Sequence, residues 1–134
     1  MIDGAAGAIP MGSNILLVED DYDVREALAE TLREEGYSVD CAVDGQEALD
    51  LLRRQMPLPR LILLDLMMPR MSGADFRAAQ RADPILSSVP VVVLSADARM
   101  AEKARLLDAV GAIRKPIDVD DLLGTIKRLL EPAA

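Results

Sequence analysis

Apolar residues along this chain fall into segments of two alternating kinds. Ile15-Leu16-Leu17-Val18, Leu61–Leu64 and Val91–Leu94 are short continuous runs, the pattern of strands covered on both faces. Val39-Asp40-Cys41 alternates instead, as a strand with one partly wet face does, and Ala112–Arg114 reads as a short final strand. Between these runs the spacing becomes helical. Val24, Ala27, Leu28, Thr31 and Leu32 share one face of a segment ended by Gly36. Ala48, Leu49, Leu51 and Leu52 form a stripe that opens after Asp44-Gly45 and breaks at Pro57 and Pro59. A weaker helix is predicted around Phe76–Ala82, stopping at Pro84, and another from about Met100 to Ala109. After Lys115-Pro116 a last helix turns Val119, Leu122, Leu123, Ile126, Leu129 and Leu130 inward, with Asp118 as its N-cap.

Strand followed by helix, repeated five times, predicts an α/β fold: a doubly wound (βα)5 arrangement around a five-stranded parallel sheet. Crossovers between parallel strands are right-handed almost without exception, which leaves few topologies. Among these, strand order 2-1-3-4-5 puts the alternating Val39 strand and the short Ala112 strand at the two edges. The chain length of 134 residues suits one domain. Residues 14–131 are expected to form it, with 1–13 a flexible tail of mostly small residues and 132–134 a C-terminal tail.

Composition removes several kinds of chemistry. There is no histidine, so Ser-His-Asp and Cys-His catalysis and His-ligated zinc are excluded. Fifteen Lys+Arg against 23 Asp+Glu give a formal charge of −8, which argues against nucleic acid as a direct partner. No apolar run approaches the roughly 20 residues of a membrane span, and Met1–Ser13 lacks the charged and apolar regions of a signal peptide. Cys41 is the one cysteine and cannot pair within the chain. That fits a reducing compartment, and a cytoplasmic location is the expectation.

Polar residues at the strand ends carry the chemistry. In open α/β sheets ligands bind beyond the carboxyl ends of the strands, at the point where strand order reverses. Here that point lies between the first strand, ending in Glu19 and Asp20, and the third, ending in Asp65. The fourth strand ends in Ser95 and the fifth in Lys115. Three carboxylates in one cleft repel one another and resist ionisation. A hard divalent cation relieves this, and magnesium suits carboxylate, water and phosphate oxygens. A carboxylate beside such an ion can attack phosphorus and form an acyl phosphate. Ser95 could donate to the phosphoryl oxygens and Lys115 could neutralise them, with Asp65 best placed as nucleophile.

From about Asn14 to Leu130 the chain resembles the receiver domains of bacterial two-component response regulators, of the chemotaxis-regulator, flavodoxin-like type. The motifs are Leu17-Val18-Glu19-Asp20-Asp21, Leu64-Asp65-Leu66-Met67-Met68-Pro69 with Gly73, Val93-Leu94-Ser95-Ala96, and Lys115-Pro116. Each is modest alone; their order and placement at strand ends are specific together. The resemblance implies Asp65 as phosphoacceptor. It implies a magnesium site from Glu19, Asp20, Asp65 and the Met67 backbone carbonyl. Ser95 then stands at the switch hydroxyl position, and Lys115 contacts the phosphoryl group. Pro116 follows a peptide bond commonly cis in the family, and small Ala96 leaves the site open to a donor. The implied partner is a sensor histidine kinase or a histidine phosphotransfer protein, with an effector domain or a second copy as possible recipient. With no histidine among these residues, the donor's histidine is expected on the partner.

There are departures from the family pattern. Ala112 stands three residues before the lysine, where the family often has Tyr or Phe, and Asp108 stands where many members carry glycine. The resemblance still implies a signalling switch that catalyses only its own phosphorylation and slow self-dephosphorylation, because Ala112 carries none of that chemistry. Ala112 gives weight to an alternative, a receiver fold used mainly for docking or dimerisation. An Asp-nucleophile phosphatase is weaker, because the second Asp of that chemistry would fall at Met67. Asp21 reads as a helix cap, Cys41 as inert core, Met67 and Met68 as packing, and Arg99, Lys103 and Arg105 as a solvated helix face.

Overall fold

The structure is a computed structural model and describes residues 14–54 and 57–131; the tails expected at 1–13 and 132–134 lie outside the described residues. Five parallel strands, β1 (Ile15–Val18), β2 (Val39–Ala42), β3 (Leu61–Asp65), β4 (Val91–Ser95) and β5 (Gly111–Arg114), lie in the order β2-β1-β3-β4-β5. The helices are α1 (Tyr22–Glu34), α2 (Gly45–Arg54), α3 (Gly73–Ala82), α4 (Met100–Leu106) and α5 (Val119–Leu130). Every residue of β1, β3 and β4 is buried, because these strands sit inside the sheet with helices on both sides. The edge strands β2 and β5 keep exposed positions, as the alternating and short patterns required.

Strand side chains alternate between the faces, and this divides the interior into two layers. Leu16, Val18, Ile62, Leu64, Val91 and Val93 pack against α2, α3 and α4. Ile15, Leu17, Leu61, Leu63, Val92 and Leu94 pack against α1 and α5. No helix among the described residues is long and apolar enough to cross a membrane.

Helix ends differ from the expectation in instructive ways. Helix α3 begins three residues early, at Gly73, because the Ser72 side chain accepts from the Asp75 N–H and caps it. Helix α4 stops at Leu106, short of Ala109. There the Asp108 N–H reaches Arg105 O at 3.1 Å and the Ala109 N–H reaches Ala104 O at 3.0 Å, the paired bonds of a Schellman terminus. Asp108 occupies its left-handed position at φ 56°, which glycine takes most readily and Asp tolerates better than most side chains. The inward face of α1 is Arg25, Leu28, Ala29 and Leu32, with Ala27 turned to solvent. Val119, expected inward, is 47% exposed at the first turn of α5.

A buried polar network that apolar periodicity could not reveal holds α3 to its surroundings. Arg77 donates to the carbonyls of Leu107 at 2.8 Å and Asp108 at 3.0 Å, and to Gln80 Oε1 at 2.6 Å. Gln80 in turn donates to Leu86 O and Val89 O, both at 2.9 Å. Gln80→Leu should orphan the Val89 carbonyl and one Arg77 guanidinium donor, and leave Leu86 O with the Val89 N–H alone. Unsatisfied buried groups cost about 1–3 kcal/mol each. The expected outcome is a lower urea midpoint, equivalent to ~2–4 kcal/mol, at unchanged slope.

Candidate functional site

Parallel strands all point the same way, so their carboxyl ends open onto one crest, and loops from both sides of the β1/β3 reversal meet there. Glu19, Asp20 and Asp65 each offer a carboxylate oxygen there, and these atoms lie within 4.8 Å of one another. Glu19 and Asp65 are buried and Asp20 is exposed, so the cluster has a closed floor and an open mouth. Lys115 Nζ lies 2.7 Å from Glu19 Oε1 and 3.5 Å from Asp65 Oδ2. That ammonium is the main compensation of Glu19 Oε1, a buried oxygen with no hydrogen bond of good geometry among the described residues. Glu19 Oε2 accepts from the Asp21 N–H at 3.2 Å.

Backbone geometry sets the remaining members. Asp65 Oδ1 accepts from the Met67 N–H at 3.1 Å, turning the chain sharply after β3. Gly73 lets α3 begin against this turn: a Cβ there would come within 2.7 Å of Asp65 O and Leu66 Cα. Ser95, in the strand next to β3, is buried, and its Oγ accepts from the Asp97 N–H at 3.0 Å. The Lys115 N–H donates to Ser95 O at 3.0 Å, tying the β5 end to the β4 end. The Lys115–Pro116 peptide is cis. Ala96 and Pro116 are exposed beside the site, and Met67 is 68% exposed on its rim. Asp21 is the N-cap of α1, accepting from the Val24 N–H at 3.0 Å. Cys41 is half-buried, and burial pushes its thiol up from its ordinary range.

Three supporting groups went unread in the sequence. Arg25, one turn into α1, is buried and donates to backbone carbonyls of the β1–α1 loop. Arg70, at φ 64°, forms an ion pair with buried Asp44, fastening the loop after β3 to the one after β2. Lys103, on a solvated face as expected, also donates to Asp97 Oδ2 at 2.7 Å. The available signal for Arg25 was a charged residue on the face that periodicity assigns to the core.

The donor set fits a hard divalent cation: oxygen ligands only, converging from two loops, one of them buried and poorly satisfied. The electrostatics agree. Burial pushes the Asp65 carboxyl up to about 7, and Glu19 adds to the rise, against the lowering effects of the Met67 N–H and the Lys115 charge. Lys115 is itself raised: its bonds and attraction to Glu19 and Asp65 outweigh burial, the largest single effect, which lowers it. Without a cation, folded Asp65 keeps a proton that the unfolded chain releases near pH 4, so its contribution to stability falls as pH rises from about 4 through about 7. Asp65→Asn removes this titration. In urea melts with a chelator, the stability of Asp65→Asn relative to wild type should grow between pH 5 and pH 8. Each tenfold difference in proton affinity between folded and unfolded chain is worth about 1.4 kcal/mol, so the two pH units up to about 7 give an expected gain of ~3 kcal/mol; a shrinking gap would contradict it.

Comparison with known proteins agrees with this architecture. The profile of the response regulator receiver domain matches residues 15–127. Response regulator MprA of Mycolicibacterium vanbaalenii is 39% identical over 123 residues, 90% of this chain and 51% of that protein. Response regulator MprA of Mycobacterium leprae is 40% identical over 119 residues, 87% of this chain and 50% of that one. The chain thus spans about half the length of the curated relatives it matches. Among solved structures, the chemotaxis protein CheY4 of Vibrio cholerae superposes with a TM-score of 0.78 at 30% identity, covering 87% of this chain and 97% of that one. A response regulator receiver protein from Pseudomonas putida gives 0.76 at 28% identity, covering 85% and 94%. With a matching profile over nearly the whole described chain and the same fold in its solved relatives, the chain belongs to the family of response regulator receiver domains.

Proposed function

We propose that Asp65 accepts a phosphoryl group from the phosphohistidine of a sensor kinase or phosphotransfer protein in the cytoplasm, and that the resulting acyl phosphate is the on state of a switch. The observation that carries this reading is the convergence of the Glu19, Asp20 and Asp65 carboxylates, with Lys115 2.7 Å and 3.5 Å from two of them. A carboxylate oxygen of Asp65 forms the new O–P bond as the donor's N–P bond breaks, and the leaving imidazole keeps the electron pair. Glu19, Asp20, Asp65 and the Met67 carbonyl would hold magnesium, which when bound screens the carboxylates and draws charge from the phosphoryl oxygens. Lys115 supplies a fixed positive charge to those oxygens, and Ser95 offers them its hydroxyl proton. Self-hydrolysis resets the switch, without turnover of many substrate molecules.

An apolar groove of about 280 Å3 beside Lys115, lined by Val24, Leu28 and Thr31 of α1 and by Pro116 and Ile117, supports a docking path for the donor. An apolar helix face of the partner laid there would bring its phosphohistidine to the mouth of the acidic cluster.

Ala112, where the family often has an aromatic ring, lies in an open groove of about 410 Å3 with Met100, Arg114 and Thr125. A polar chain supports another route outward. Ser95 Oγ holds the Asp97 N–H at 3.0 Å, Asp97 Oδ2 takes Lys103 of α4 at 2.7 Å, and Asp97 O takes Arg114 of β5 at 3.3 Å. A Ser95 hydroxyl drawn toward the phosphoryl group releases the Asp97 N–H, and that loop carries the change to α4 and β5. An effector segment or a second copy reads it there.

Acetyl phosphate with magnesium should give one acid-stable, base-labile phosphoryl adduct by intact mass, absent in Asp65→Asn and after chelation. Equal labelling of wild type and Asp65→Asn would remove the reading. For the route outward, phosphodonor should shift the amide resonances of Asp97, Lys103 and β5. Arg114→Leu should lose the β5 shifts at unchanged adduct yield, and retained β5 shifts would count against the relay.

A further inference from the structure

Arg25 is 9% exposed, and a guanidinium withdrawn from water needs strong compensation. Its Nη1 donates to Glu19 O at 2.9 Å and to Asp20 O at 3.3 Å. Among the described residues the nearest ion-pair contact is weak: Glu26 Oε2 lies 4.0 Å from Nε and that side chain is half exposed. Tyr22 covers one face, its ring centroid 5.4 Å from Cζ. The charge of Arg25 is thus directed at the backbone of the two acidic residues, leaving their carboxylates free to face Asp65. Only Glu19, Asp20 and Asp21 separate β1 from α1, so the orientation of this short corner decides where both side chains point.

We infer that Arg25 is a positioning residue for the divalent-cation site: by fixing the Glu19 and Asp20 carbonyls it aims their carboxylates at Asp65 and sets the cation affinity. This rests on the reading that the cluster binds magnesium. The buried charge also offsets part of the repulsion among the three carboxylates from behind, where it does not compete for their oxygens. Lysine keeps the charge but places a single ammonium on a flexible stem, which suits two backbone carbonyls less well.

Calorimetric titration of the unphosphorylated protein with magnesium chloride tests the inference on wild type, Arg25→Met and Arg25→Lys. Loss of a group that orients metal ligands typically weakens metal binding by about 10–100-fold. Arg25→Met should therefore raise the magnesium Kd ~10-fold or more, with Arg25→Lys between it and wild type. At saturating magnesium both variants should regain the wild-type rate of acetyl phosphate labelling, a split that general damage to the fold would not produce. Wild-type affinity in Arg25→Met overturns the positioning role. If circular dichroism shows Arg25→Met unfolded, Arg25→Lys decides: weakened affinity supports the role and wild-type affinity overturns it. Failure of wild type itself to take up magnesium overturns the underlying reading and the inference with it.

Discussion

Three carboxylates held within 4.8 Å of one another impose a cost that the surrounding structure must offset. Two of the three are buried, where charge is least welcome, and the Asp65 carboxyl is accordingly pushed far above its ordinary range. The compensation comes from three directions. Lys115 reaches in from the end of β5, the Met67 N–H turns back onto Asp65, and Arg25 braces the backbone of Glu19 and Asp20 from below. Such a site is poorly satisfied by itself, and its oxygen donors are well matched to a hard cation. That imbalance is what makes it chemically useful.

The parallel sheet makes the arrangement possible. Three interior strands without a polar residue before their last position form a rigid floor, and all of them release their chains at the same crest. Backbone bonds then set the loops: Gly73 lies against the turn after Asp65, and the Lys115 N–H is held by Ser95 O. An antiparallel hairpin would send neighbouring ends to opposite edges and scatter these residues.

Away from the crest, Ala112 and Asp108 are the positions where the chain departs from the family pattern. Ala112 lies in an open groove between β5 and α5, while Asp97, Lys103 and Arg114 link the Ser95 loop to α4 and β5 through polar contacts. Exposed polar links are weaker and more readily screened by salt than packed rings. Asp108 in the glycine position is accommodated by a terminus whose carbonyls Arg77 holds from α3.

Much of this was legible in the linear chain because it depends on local pattern. Continuous apolar runs marked β1, β3 and β4, and handedness left few topologies, among which the edge patterns of β2 and β5 pointed to the order observed. The same logic brought Glu19, Asp20 and Asp65 together, since strand ends at a reversal must meet. Helix limits were less legible: the early start of α3 depends on the Ser72 cap, and the early stop of α4 on bonds between residues that periodicity treats as equivalent. Arg77 and Gln80 could not be read as interior residues because periodicity counts them as polar, and Arg25 showed only as a charge on a core-facing stripe. Only the folded chain supplies the carbonyls that satisfy them. The sequence by itself thus determined the sheet, its order and the residues at its crest. The tertiary structure alone decided how their charge is compensated, because partners distant in the chain become neighbours only after folding.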